Sequence, residues 1–136
     1  MKYLLDTNTC IRYLNRRSIA VVNRLHNTPE SEIAVCSVVK AELYFGAMKS
    51  QNREHTIQGQ RVFVARFISL PFDDAAADYY AVIRADLAQK GTPIGGNDLM
   101  IAAIALANGL ILITHNTREF GRVSNLQIED WETDNQ

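Results

Sequence analysis

Tyr3-Leu4-Leu5-Asp6-Thr7-Asn8 begins the chain with a short apolar run that ends abruptly on an acid. Such a run reads as a buried strand, and the Asp, Thr and Asn that follow favour the start of a helix. The same alternation continues outward. Apolar runs at residues 32 to 36, 69 to 72 and 110 to 114 are separated by helix-like segments at 7 to 15, 19 to 26, 38 to 50, 54 to 68, 74 to 89 and 98 to 107. Strands separated by helices indicate βαβ units and a parallel sheet buried on both faces. A fifth strand at 126 to 128 would close one edge, so the predicted class is α/β with a mainly parallel sheet of four to five strands.

The 136 residues, 47% hydrophobic, suffice for one domain with a continuous core. Cys10 and Cys36 lie in apolar stretches without ligand spacing, which argues for reduced thiols over a disulfide scaffold or zinc site. The first acid comes too early for an export signal, and no apolar run approaches the ~18 residues of a membrane span. A soluble, cytoplasmic protein is expected. The formal net charge is −1, but Glu129, Asp130, Glu132 and Asp134 all fall in an expected C-terminal tail, leaving 14 bases against 11 acids elsewhere. That balance permits a phosphate-rich partner.

In open parallel sheets, ligand sites gather beyond the carboxyl ends of the strands. Asp6 follows the first strand, Glu42 lies in the helix after the second, Asp98 is expected to open a helix, and Asn116 follows the fourth strand. Asp6 and Asp98 each have an ordinary reading as helix caps. Glu42 is harder to dismiss. At about 100° per residue it falls inside an apolar arc of Val38, Val39, Ala41, Leu43, Phe45 and Met48, where an ionised carboxylate needs a partner such as Lys49 or a metal. Carboxylates sharing one crevice repel one another, and a divalent cation relieves them. Oxygen-only ligands suit Mg2+ or Mn2+. His26, His55 and His115 lie on separate segments and are read as surface or loop residues.

Five segments together resemble the PIN domain, specifically the VapC type of toxin from bacterial toxin–antitoxin pairs. They are Met1-Lys2-Tyr3-Leu4-Leu5-Asp6-Thr7-Asn8, Ser37-Val38-Val39-Lys40-Ala41-Glu42-Leu43, Asn97-Asp98-Leu99-Met100-Ile101-Ala102-Ala103, Leu112-Ile113-Thr114-His115-Asn116-Thr117-Arg118-Glu119-Phe120 and Ile128-Glu129-Asp130-Trp131. The resemblance implies a three-layer α/β sandwich over residues 1 to 132, with a short tail at 133 to 136. It also implies an acidic pocket that binds Mg2+ or Mn2+ and cuts RNA, such as transfer RNA. By position Asp6, Glu42 and Asp98 take the family's first three acidic places. The fourth, often Asp, is Asn116 here, which coordinates only through an uncharged carbonyl; Glu119 could supply the missing charge.

On this reading Asp6 and Asp98 are metal ligands and Glu42 orients the attacking water, while Asn116, Asn8, Ser37 and Thr114 give polar support. Attack by water yields a 5′-phosphate and a 3′-hydroxyl. Arg12, Arg16, Arg17, Lys40 and Lys49 are candidates for guiding RNA. Apolar residues including Ile11, Leu14, Val62, Phe63 and Phe67 would serve a homodimer and an antitoxin-binding groove. A VapB-like antitoxin is the expected partner, with operator DNA contacted only through it. The main rival is a catalytically impaired PIN fold kept as a binding or regulatory module. A haloacid-dehalogenase-like phosphotransferase would want an acid where Asn8 stands, and a receiver domain would want an acidic pair and a late Lys.

Overall fold

The computed structural model describes residues 1 to 133. Five strands, β1 (Tyr3–Leu5), β2 (Ile33–Cys36), β3 (Ile68–Leu70), β4 (Ile111–Ile113) and β5 (Ile128–Glu129), form one sheet in the order β3-β2-β1-β4-β5. All neighbours are parallel. The central strands, Tyr-Leu-Leu and Ile-Ala-Val-Cys, read as unbroken apolar runs because both faces are covered: β1 and β2 are buried at every position. The helices are α1 (Thr7–Leu14), α2 (Ile19–His26), α3 (Ser37–Met48), α4 (Arg53–Val64), α5 (Asp74–Gln89), α6 (Gly96–Ala107) and α7 (Thr117–Phe120).

Crossovers between parallel strands are right-handed. The chain steps one way from β1 to β2 to β3, and the other way from β3 to β4 to β5. Handedness then puts α1 to α4 on one face and α5 to α7 on the other, which gives three layers. The direction of winding reverses between β1 and β4, the position where open α/β sheets form a crevice.

Several expected boundaries move. The helix expected to reach residue 68 stops at Val64, and the strand expected at 69 to 72 is Ile68–Leu70, because Ile68 pairs with Ala34 and Leu70 with Cys36. The last strand is Ile128–Glu129 rather than 126 to 128. A 3-10 turn at Glu30–Glu32 and the helix α7 are additional, both too short for any periodicity to reveal. Cys10 and Cys36 are buried free thiols. Among the described residues, no helix is long and apolar enough to cross a membrane.

Three acids near the C-terminus are tied to the rest of the domain. Arg24 pairs with Glu129 at 3.3 Å, Arg12 with Glu132 at 3.7 Å, and His115 Nδ1 lies 2.9 Å from Asp130. Asp134 and the rest of residues 134 to 136, most of the expected tail, lie outside the described residues. Trp131 anchors this segment. It is fully buried, meets the Tyr3 ring edge-on at 5.2 Å, carries the Arg24 guanidinium 4.8 Å above its ring, and donates its indole N–H to Glu129. Truncating so large a buried ring leaves a cavity as well as lost transfer energy, so Trp131→Ala is expected to cost about 3–5 kcal/mol. Urea unfolding followed by circular dichroism measures this; a loss of under about 1 kcal/mol would mean the segment is not part of the core.

Candidate active site

Asp6 sits one residue past β1, at the winding reversal, and is 5% exposed. Its ordinary role is real: Oδ1 caps α1 by accepting the Thr9 N–H at 2.8 Å. A carboxylate has a second oxygen, and the residue also lines a polar pocket with Thr7, Asn8, Glu42, Asp98, Asn116 and Phe120. Burial pushes the Asp6 carboxyl upward, against hydrogen bonds from Thr114 and Thr9 that favour its charged form.

Asp98 does not open its helix. Gly95 holds the cap position without a side-chain bond, α6 begins at Gly96, and Asp98 lies in the first turn. The capping explanation therefore fails for this residue. Leu99 and the run from Ile101 to Ala105 are buried, so an apolar helix delivers a half-buried acid to the strand ends. Burial, and then the negative charges of Glu42, Glu119 and Asp6, push the Asp98 carboxyl from its ordinary 3.8 to about 6. Asp98 thus feels three other acids, two of which, Asp6 and Glu42, line the same pocket.

Glu42 departs from expectation in its surroundings. Val39, Leu43 and Ala47 of α3 are buried in the core and Val38 and Tyr44 pack against it, whereas Phe45 is 63% and Met48 43% exposed. The broad apolar arc is therefore two faces, and the half-buried Glu42 lies at the margin between them. It does not pair with Lys49, whose Nζ instead lies 4.6 Å over the Phe45 ring. The Thr7 hydroxyl donates to Glu42 Oε1 and the Asn97 amide donates to Oε2 at 3.2 Å. Thr7 and Asn97 were not singled out from the sequence, although each adjoins an acid that was.

Asn116 reaches the pocket from the turn after β4. Its N–H donates to the buried Thr114 hydroxyl at 3.0 Å, and its side-chain amide donates to Glu119 Oε2 at 2.8 Å. Glu119 stands behind Asn116, bringing negative charge close to Asp98 without lining the pocket. Asn8 lines the pocket, and Ser37 lines a neighbouring groove. Among the described residues, no three acidic, histidine or cysteine side chains stand close enough together to hold a metal ion unaided.

The expected RNA-guiding bases divide. Lys49 lines the groove next to Glu42, while Arg12 is occupied by Glu132 and Arg16 lies over the Tyr13 ring at 4.7 Å. Arg17 is exposed and Lys40 half-buried, and neither lines the pocket. The apolar group also divides: Phe63 and Phe67 are core residues, Ile11 and Leu14 are half-buried, and Val62 is 64% exposed. His115, His26 and His55 are exposed; the Asp130 carboxylate raises the His115 pKa.

The PIN domain family model matches residues 3 to 126. The chain is 43% identical to the tRNA(fMet)-specific endonuclease VapC of Shigella flexneri over 96% of its length and 98% of that protein's. It is 38% identical to Ribonuclease VapC2 of Rickettsia felis, covering 97% of this chain and 99% of the relative. The structure superposes on DNA-bound VapBC from Salmonella typhimurium with a TM-score of 0.91 at 39% identity, over 96% of this chain and 98% of that one. The chain therefore belongs to the PIN-domain family, among its VapC ribonucleases.

Proposed function

We propose that this protein is the toxin of a toxin–antitoxin pair, an endoribonuclease that hydrolyses a phosphodiester bond of transfer RNA with Mg2+ or Mn2+. The observation that carries the reading is the convergence of Asp6, Glu42, Asp98 and Asn116 on one polar pocket, where burial and neighbouring acids push the Asp98 carboxyl up to about 6. Charge crowding of this kind favours a cation. The donors are all oxygens, which suits a hard ion, and Mg2+ commonly takes only one or two carboxylates and fills its remaining positions with water and substrate phosphate.

Asp6 and Asp98 would hold the ion. When bound, it lowers the pKa of a water and neutralises charge on the phosphoryl group. Glu42, fixed on both oxygens by Thr7 and Asn97, orients the attacking water. Asn116 offers a neutral oxygen, and its bond to Glu119 holds the side chain in place. Transfer RNA as substrate rests on the name of the Shigella relative, and a VapB-like antitoxin that contacts operator DNA rests on the Salmonella complex. A groove between α1 and α4, lined by Ile11, Leu14 and the buried Gln60, would take an apolar antitoxin segment.

Cleavage of an initiator transfer RNA transcript is expected with Mn2+ and not in excess EDTA, leaving 5′-phosphate and 3′-hydroxyl ends. Asp6→Asn and Asp98→Asn should each lose at least about 100-fold in kcat/KM, since several kcal/mol of charge stabilisation depend on the ion. A 2′,3′-cyclic phosphate product sinks the mechanism. Absence of any cleavage by the wild type favours the binding-module reading.

Asp98 also links pH to stability. Its folded pKa lies above its ordinary value, so the metal-free protein gains a proton on folding between about pH 4 and pH 6 and loses that stabilisation as pH rises through the window. In EDTA at about pH 7.5, Asp98→Asn should melt higher than the wild type, and the difference should close towards about pH 4. Mn2+ should raise the wild-type Tm alone. An Asp98→Asn protein that melts at or below the wild type at neutral pH contradicts the crowding argument.

A further inference from the structure

Beside the acid pocket, α3 forms one wall of an open groove of about 660 Å3 that shares Thr7 and Glu42 with it. The volume is that of a ligand site and exceeds what one base requires. Its walls are apolar at Val38, Ala41, Phe45 and Met100, and its near end carries the Ser37 hydroxyl and the Asn97 amide. Phe45 is 63% exposed, an unusual position for so large an aromatic side chain. Lys49 is the one cation among the lining residues, and its ammonium rests over the Phe45 ring at 4.6 Å.

We propose that this groove seats a base of the single-stranded RNA segment carrying the scissile phosphate, with Phe45 as stacking platform and Lys49 as phosphate contact. The inference rests on the ribonuclease reading above and says where the strand leaves the site. A strand held at Asp6 has two exits, because β2 and β4 flank β1. On the β4 side Glu119 stands behind Asn116 and adds negative charge, while Asp130 and Glu132 are matched by His115 and Arg12. The β2 side offers an aromatic face, a cation on a flexible stem that a base can displace, and polar groups to meet base edges. Sequence-tolerant recognition of single strands combines these same elements. Continuity with the acid pocket and the position of Lys49 favour RNA over a second copy of the chain or a segment of the antitoxin.

The test uses the anticodon stem-loop of initiator transfer RNA with 2-aminopurine at each loop position in turn. It is titrated with the Asp98→Asn protein, which lacks one repelling charge. Quenching at one or two adjacent positions is expected, lost with about tenfold weaker binding when Phe45→Leu is added. Phe45→Tyr should retain the quenching, and Lys49→Gln should weaken binding and flatten its salt dependence. Phe45 is exposed, so none of these changes disturbs the core. An identical profile in the Phe45→Leu protein, or no quenching at any position, overturns the proposal. So does a Phe45→Leu protein whose mass falls from dimer to monomer while the quenching persists, which makes the face a contact between copies. Cleavage of the same stem-loop by the wild type with Mn2+ is scored separately: quenching without cleavage sinks the ribonuclease reading and leaves the groove standing.

Discussion

Negative charge held at the end of a buried strand is the constraint around which this molecule is arranged. β1 lies in the middle of the sheet with all three residues out of water, so the carboxylate that follows it emerges into a crevice rather than onto open surface. The strands on either side end nearby and bring their own polar residues, Glu42 through α3 and Asn116 through the turn after β4. α6 adds Asp98 from the other layer. Each acid alone would have a local remedy, and Asp6 has one in the cap of α1. No cation stands among the residues lining the pocket, and burial together with the neighbouring acids raises the Asp98 pKa.

The opposite arrangement holds at the C-terminal segment, where acids are matched with bases. Glu129 meets Arg24, Glu132 meets Arg12, and Asp130 meets His115, across separations of roughly a hundred residues in two of the three cases. Exposed pairs of this kind stabilise little individually. Their value is positional, since they flank β5 and the Trp131 ring that packs on Tyr3 of the central strand. They also withdraw Arg12 and Arg24 from the cations that could meet RNA. A surplus of bases counted along the chain therefore overstates the basic surface near the pocket.

α3 joins these two regimes on one helix. Val39, Leu43 and Ala47 recur every four residues and pack on the sheet. Val38, Phe45 and Lys49 lie on a second face, and Glu42 sits between the two. Its carboxylate is held by neutral donors, Thr7 and Asn97, and not by a cation. Such bonds orient the group without supplying an opposite charge.

Much of this was legible in the chain itself. Apolar runs too short and too uniform for surface strands specified a parallel sheet, and acids placed near the ends of those runs specified side chains that share one pocket, because both signals are local and depend only on burial and strand direction. Ser37-Val38-Val39-Lys40-Ala41-Glu42 could not reveal that its apolar residues serve two faces, since hydrophobicity records a preference for leaving water and not the surface that satisfies it. Nor could Glu129, Asp130 and Glu132 announce their partners. Pairing of charges depends on which distant segments the packed sheet brings within a few ångströms, and only the tertiary structure decided that.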